Sequence, residues 1–283
     1  MAPEETTPEP EETMPEKVAE QSGGLQAEAA PPPLPKVRSI AIGDIVDALE
    51  LGLRDFRGAP VFGLFFGGIY AVGGMLIVLT ASALQMSYVS YPLAVGFALI
   101  GPFVAVGLYE VSRRREKGEP LHWGPILGVI FAQRRRETGW MAFVTLFVLV
   151  MWMYQVRVLL ALFIGLHAPT TFDGFLQVVV GTPEGLIFLG IGHIVGAFMA
   201  LVLFSLTVVS FPLLLDREID FVSAMITSVK AVVTNPIPMV GWAFVIMVLM
   251  MISIAPFFIG LFIALPILGH TTWHLYRKLV VPA

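Results

Sequence analysis

The sequence contains no cysteine and little charge. Without cysteine there are no disulfides, no thiolate metal sites, no iron–sulfur clusters and no cysteine nucleophile. Aspartate, glutamate, lysine and arginine make up 13% of the 283 residues, against about 25% in a soluble domain. Hydrophobic residues reach 57% and the mean hydropathy is +0.83. That balance excludes an ordinary water-soluble globule and points to a multi-span membrane protein. A net charge of −4 argues against nucleic-acid binding. The phosphate-loop pattern Gly-x-x-x-x-Gly-Lys-Ser/Thr is missing, as are Gly-x-Ser-x-Gly and His-Glu-x-x-His. No enzymatic activity and no cofactor are therefore expected.

The charge that exists is unevenly placed. Residues 1–36 hold eight glutamates and eight prolines, ending in Pro-Pro-Pro-Leu-Pro. With almost no aromatic or β-branched residues, the segment cannot repay the entropy of ordering, so it reads as a disordered acidic cytoplasmic tail. It lacks the basic start and apolar core of a signal peptide. Residues 37–283 read as a membrane domain with apolar stretches at about 61–81, 92–112, 140–163 and 185–211, then a run from Met239 to Arg277. As a single helix that last run would measure about 58 Å, twice the hydrocarbon thickness of about 30 Å. A turn near Ser253–Pro256 divides it into 239–254 and 257–277, because proline disfavours continuing the helix. The result is an all-α integral membrane fold of six transmembrane helices.

Lysine and arginine orient it. Of the 17 basic residues, every one but Arg157 precedes the first span, follows the sixth, or lies between spans two and three or four and five. The other loops, 82–91, 164–184 and 253–256, carry none. The positive-inside rule then puts both termini in the cytoplasm of a bacterial cell, with the chain in the inner membrane.

The spans form three hairpins, each preceded by a short cytoplasmic interfacial helix. Before span one, Ile42, Ile45, Val46, Leu49, Leu53 and Phe56 recur at helical spacing, opposite Asp44, Asp47, Glu50, Arg54 and Arg57. Before span five, Val222, Met225, Ile226, Val229 and Val233 do the same, and Pro125–Arg136 is a weaker version. Such helices are expected to lie in the interface, apolar side down. Pro102, Tyr109, Glu110 and Arg113 precede Pro266, Trp273, His274 and Arg277 by 164 residues, which suggests parallel repeats of one unit.

A few side chains invite chemistry. His270 and His274 share a helix face, and with Glu110 or Asp216 they form a candidate metal or proton site. Against this, histidine beside Trp273 and Tyr276 suits a membrane interface, and Glu110 has Arg113 and Arg114 at i+3 and i+4. Arg157, the one basic residue within a span, lies 18 residues beyond Gly139, about 27 Å along the helix and near the outer interface. It either snorkels to headgroups or pairs with Asp173 or Glu184. His193 lies in span four just after Gly190 and Gly192, residues small enough to allow close helix approach. It is the only one of five histidines well inside a span, so an oxidase haem–copper core is excluded. Gly63-x-x-x-Gly67 reads as a helix-packing signal.

The stretches 101–116 (GPFVAVGLYEVSRRRE), 213–220 (LLLDREID), 227–236 (TSVKAVVTNP) and 265–277 (LPILGHTTWHLYR) resemble motifs of the bacterial "domain of unknown function 2189" family. The resemblance covers roughly residues 40–280 and implies an integral membrane protein; it supplies no activity and no catalytic residues. Two functions stay open. The first is a non-enzymatic scaffold or accessory and assembly factor, whose partners are the bilayer and either a membrane protein or further copies of the chain. The second is a small transporter or channel for an ion or small solute, with breaks at Pro102, Pro212 and Pro266 as its supporting features.

Overall fold

A computed structural model describes residues 34–82, 87–134, 137–165 and 172–282. The acidic tail expected over 1–36 falls outside them, except for its last three residues. Eleven helices follow one another among the described residues: α1 (Ile42–Gly58), α2 (Pro60–Ser82), α3 (Ser87–Lys117), α4 (Trp123–Arg134), α5 (Glu137–Phe163), α6 (Phe172–Gly181), α7 (Pro183–Thr207), α8 (Ser210–Asp216), α9 (Phe221–Thr234), α10 (Pro236–Ile254) and α11 (Leu261–Leu279).

Proline opens α2, α7 and α10, where its missing N–H is one the helix would leave unpaired anyway. Single residues, Ala59 and Asn235, join α1 to α2 and α9 to α10. Asp220 caps α9 by accepting from the Ser223 N–H at 2.8 Å, and Thr182 caps α7 by accepting from Gly185 N at 3.0 Å.

Four helical stretches are long and apolar enough to cross a membrane: Pro60–Thr80, Glu137–Phe163, Pro183–Asp216 and Pro236–Ile254. The other two expected spans, 92–112 and 257–277, fall on α3 and α11, whose C-terminal halves carry charge. Large apolar side chains face outward along α5 and α7, among them Phe143, Phe147, Ile194 and Phe198. A contiguous apolar exterior of this kind suits lipid and not water.

The chain turns between α10 and α11 across residues 255–260, next to the proline that predicts it. Phe257 and Phe258 both take positive φ there, 52° and 67°, and the Phe258 ring fills the space a Cβ would need at Gly74 of α2. The other proline breaks are realised only once. The helix is interrupted at Val208–Val209, just ahead of Pro212, while α3 and α11 run straight through residues 102 and 266. The loop expected over 164–184 contains a helix, α6, packed on α7.

The short helices each pack one face on the protein. In α1 the buried positions are Ile45, Ala48, Gly52 and Asp55, while Ile42 and Val46 are exposed. In α9 they are Ala224, Thr227, Ser228, Ala231 and Val232, while Val222, Ile226 and Val233 are exposed. Small and polar residues allow close approach to neighbouring helices, so they form the protein-facing stripe. The larger apolar residues are left on a separate outward face.

Helix α11 is the hub, packing on α1, α2 and α3; α5 packs on α7 and α3, and α7 on α9. Gly63 and Gly67 of α2 both lie against α11. A Cβ at Gly67 would come within 2.8 Å of the Leu261 carbonyl oxygen, and one at Gly63 within 3.1 Å of Pro266 Cβ. The ends of the described chain meet in an antiparallel bridge between Val37 and Val280. Arg38 N donates to Leu279 O at 2.7 Å and Val281 N to Lys36 O at 3.0 Å. Asn235 ties the same corner together, accepting from Ile40 N at 2.7 Å and donating to Arg38 O at 3.0 Å.

Candidate functional site

The C-terminal half of α11 carries buried polar groups on several sides, and α1, α3 and α8 each bring charge to it. Asp55 of α1 is buried. It accepts from Arg115 Nε at 2.9 Å and from His274 Nε2 at 2.7 Å. Burial alone would raise its pKa, but hydrogen bonds from His274 and Arg115 outweigh that and hold the carboxyl below its ordinary value. One helical turn away, His270 is fully buried, with Nδ1 2.8 Å from Ser112 Oγ. Its Nε2 is buried and makes no hydrogen bond among the described residues.

On the next flank, Glu116 accepts from Trp273 Nε1 and from Arg277 Nε, each at 3.0 Å. Asp216, at the end of α8, accepts from the Tyr276 hydroxyl at 2.7 Å and from Arg277 Nη1 at 3.2 Å. Lys278 reaches Asp44 at 2.9 Å and Asp47 at 2.8 Å. Those bonds, Asp47's foremost, raise the Lys278 pKa. Asp44 is held low chiefly by its bond from the Ala41 N–H and next by Lys278. A cavity of about 500 Å3 opens among Arg54, Asp55, Arg115, Glu116, His274 and Arg277.

The candidate metal residues are thus separated in function. The carboxylate that receives His274 is Asp55, not Glu110 or Asp216. Glu110, fully buried, accepts from Arg113 Nε at 2.7 Å and from Arg114 Nε at 2.6 Å. Asp216 is bonded to Tyr276 and Arg277. Among the described residues, no three histidine, aspartate or glutamate side chains come together as a metal site. Chemically, the arrangement is a set of charge-assisted hydrogen bonds that lock four helices together.

The two intramembrane candidates face outward. Arg157 is exposed, and no ion pair to it from Asp173 or Glu184 occurs among the described residues. Arg157→Leu is therefore expected to leave thermal stability within about 0.5 kcal/mol of the parent, as read by unfolding in one detergent. A larger loss would reveal a partner for the guanidinium. His193 is exposed too, and its Nδ1 bonds the Leu189 carbonyl of its own helix at 2.7 Å. Gly190 and Gly192 do not take part in a close helix approach among the described residues: nothing there lies within 4 Å of a Cβ at either. In α7 the glycines that meet a neighbouring helix are Gly185, against Val178 and Val179 of α6, and Gly196, against Trp152 of α5.

Sequence reasoning missed Asp55, Ser112, Arg115 and Glu116, and it offered Tyr276 only as an interfacial aromatic. One signal for Asp55 exists: it continues the stripe Ile45–Ala48–Gly52, whose small residues at helical spacing mark a close crossing.

Neither the curated proteins nor the solved structures contain a match to this chain. The stretch 101–116 and the start of 213–220 fall within the family match, while 227–236 and 265–277 lie outside it, so the likeness is narrower than the 40–280 expected from motifs. Residues 90–216 match the family described as "Predicted integral membrane protein (DUF2189)", and over that stretch the chain is similar to those integral membrane proteins.

Proposed function

We propose that the chain is a six-span protein of the bacterial inner membrane, both termini cytoplasmic, acting as a non-enzymatic scaffold or accessory factor. The observation that carries this reading is the commitment of the charged groups around α11 to one another. Asp55, Glu110, Glu116 and Asp216 each accept from an arginine, and Lys278 is shared by two aspartates. Groups satisfied by one another in this way hold helices in register, which supports a structural role for the cluster. The pairing of Val37 with Val280 supports an even number of crossings, because it brings both ends of the membrane domain to one side. The outward apolar residues of α1 and α9, beside protein-facing stripes, support their placement in the interface.

Affinity purification from membranes in mild detergent tests the function. A stoichiometric membrane-protein partner, or a defined homo-oligomer, is the expected result. Flux of an ion or metabolite through liposomes containing the pure protein would overturn it in favour of a transporter. Reporter fusions test the topology: one at residue 175 should report outside the cytoplasm, and one at the C-terminus inside.

A further inference from the structure

A second cavity, about 510 Å3 in volume, lies among α2, α3, α5, α7 and α8. That volume falls in the range of small-molecule sites, about 300–1,000 Å3. Eleven of its twelve lining residues belong to the stretch 90–216 that matches the family; the twelfth is Tyr70.

Its chemistry is specific. The walls are alkyl and aromatic, including Ala105, Val148, Leu149, Met199, Leu203 and Phe211. The two threonines that line it spend their hydroxyl protons within their own helices: Thr145 Oγ1 donates to Met141 O at 2.9 Å, and Thr207 Oγ1 to Leu203 O at 2.7 Å. Besides these, the lining carries one more side-chain hydroxyl, that of Tyr70, so an occupant gains chiefly by burying hydrocarbon. The cavity reaches the outer surface at Trp152 and Ala200, both exposed. These two residues lie on Glu137–Phe163 and Pro183–Asp216, stretches apolar enough to cross a membrane. The mouth of the cavity therefore opens onto whatever surrounds those helices. In a membrane that is the acyl region of the lipid.

We infer that this cavity is a binding site for the acyl chain of a membrane phospholipid, entering sideways between α5 and α7. The inference rests on the membrane reading of these two helices. It identifies a bound lipid as part of the folded protein, separate from the polar cluster on α11.

The test uses the full chain in phosphatidylcholine vesicles that contain a phospholipid with a photoactivatable diazirine on its acyl chain. Labelled residues are mapped by tandem mass spectrometry. Wild-type protein should be labelled at the cavity-lining Val148, Leu149 and Leu203 as well as at the outward Phe147 and Phe198. Ala200→Trp, which fills the mouth, should cut labelling of the lining residues about tenfold and leave the outward ones unchanged. Leu203→Phe, which fills the interior, provides the same comparison if the first variant does not fold. Labelling confined to Phe147 and Phe198 in the wild type, or lining labels that persist in a folded filled variant, would overturn the acyl-chain site while leaving the membrane reading intact. An absence of label at all five positions would overturn both.

Discussion

Gly52→Ala is expected to dislodge α1 from α11, although alanine is the better helix former. A Cβ at Gly52 would lie 2.7 Å from the Thr271 backbone nitrogen and would also overlap Thr271 Oγ1. The obstacle includes main chain in the middle of α11, so a rotamer change cannot relieve it and the two helices must separate. Separation would loosen Asp55 from His274 and Lys278 from Asp44, because those bonds span the same interface. Overpacking of this sort costs about 1–3 kcal/mol, and the strained bonds add to it. The control lies on the same helix. A Cβ at Gly43, in the first turn of α1, meets nothing within 4 Å, so Gly43→Ala should be neutral or slightly stabilising, the propensity gain being smaller there than in a helix interior. Thermal unfolding of the three proteins in one detergent compares them directly. If Gly52→Ala melts with Gly43→Ala, the close crossing of α1 and α11 is wrong.

That crossing also shows what could be read in advance. The apolar runs and the one-sided lysines and arginines are local properties, and they made a helical membrane protein legible from composition. The turn before α11 was legible because Pro256 interrupts an apolar run too long for one crossing. Gly63 and Gly67 were legible because small residues four apart leave one outcome, a close neighbour; which neighbour was not. Which face of α1 packs on protein was not legible, because periodicity ranks residues by hydrophobicity. Around α11 the buried stripe is chosen by size, and large apolar residues are better placed facing lipid. The same competition hid the partner of His274. The repeat offset pointed to Glu110, but Arg113 and Arg114 stand one turn away on its own helix and reach it first. Asp55, distant in sequence, arrives at His274 only because Gly52 lets α1 come close.

Asp55→Asn is expected to be strongly destabilising. The carboxylate faces Arg115 and His274 from a buried position, and an amide leaves the guanidinium without its counter-charge. Losing one partner of a buried pair costs about 3–5 kcal/mol. Asp47→Asn is the comparison, since Asp47 meets Lys278 with its side chain 63% exposed; that loss should stay under about 1 kcal/mol. Acid provides the second reading. The folded-state pKa of Asp55 lies below its ordinary value, so the unfolded chain binds its proton first as pH falls. The stabilisation is complete above the unfolded carboxylate pKa of about 3.9 and is lost as pH drops through the lower folded value. Unfolding measured from neutral pH downward should therefore show wild type and Asp55→Asn far apart near neutrality and converging in acid, where the wild-type side chain has also lost its charge. A gap that stays constant across that range would mean that the cost comes from the amide's different hydrogen bonding, and that the Asp55 charge contributes nothing to holding α1 on α11.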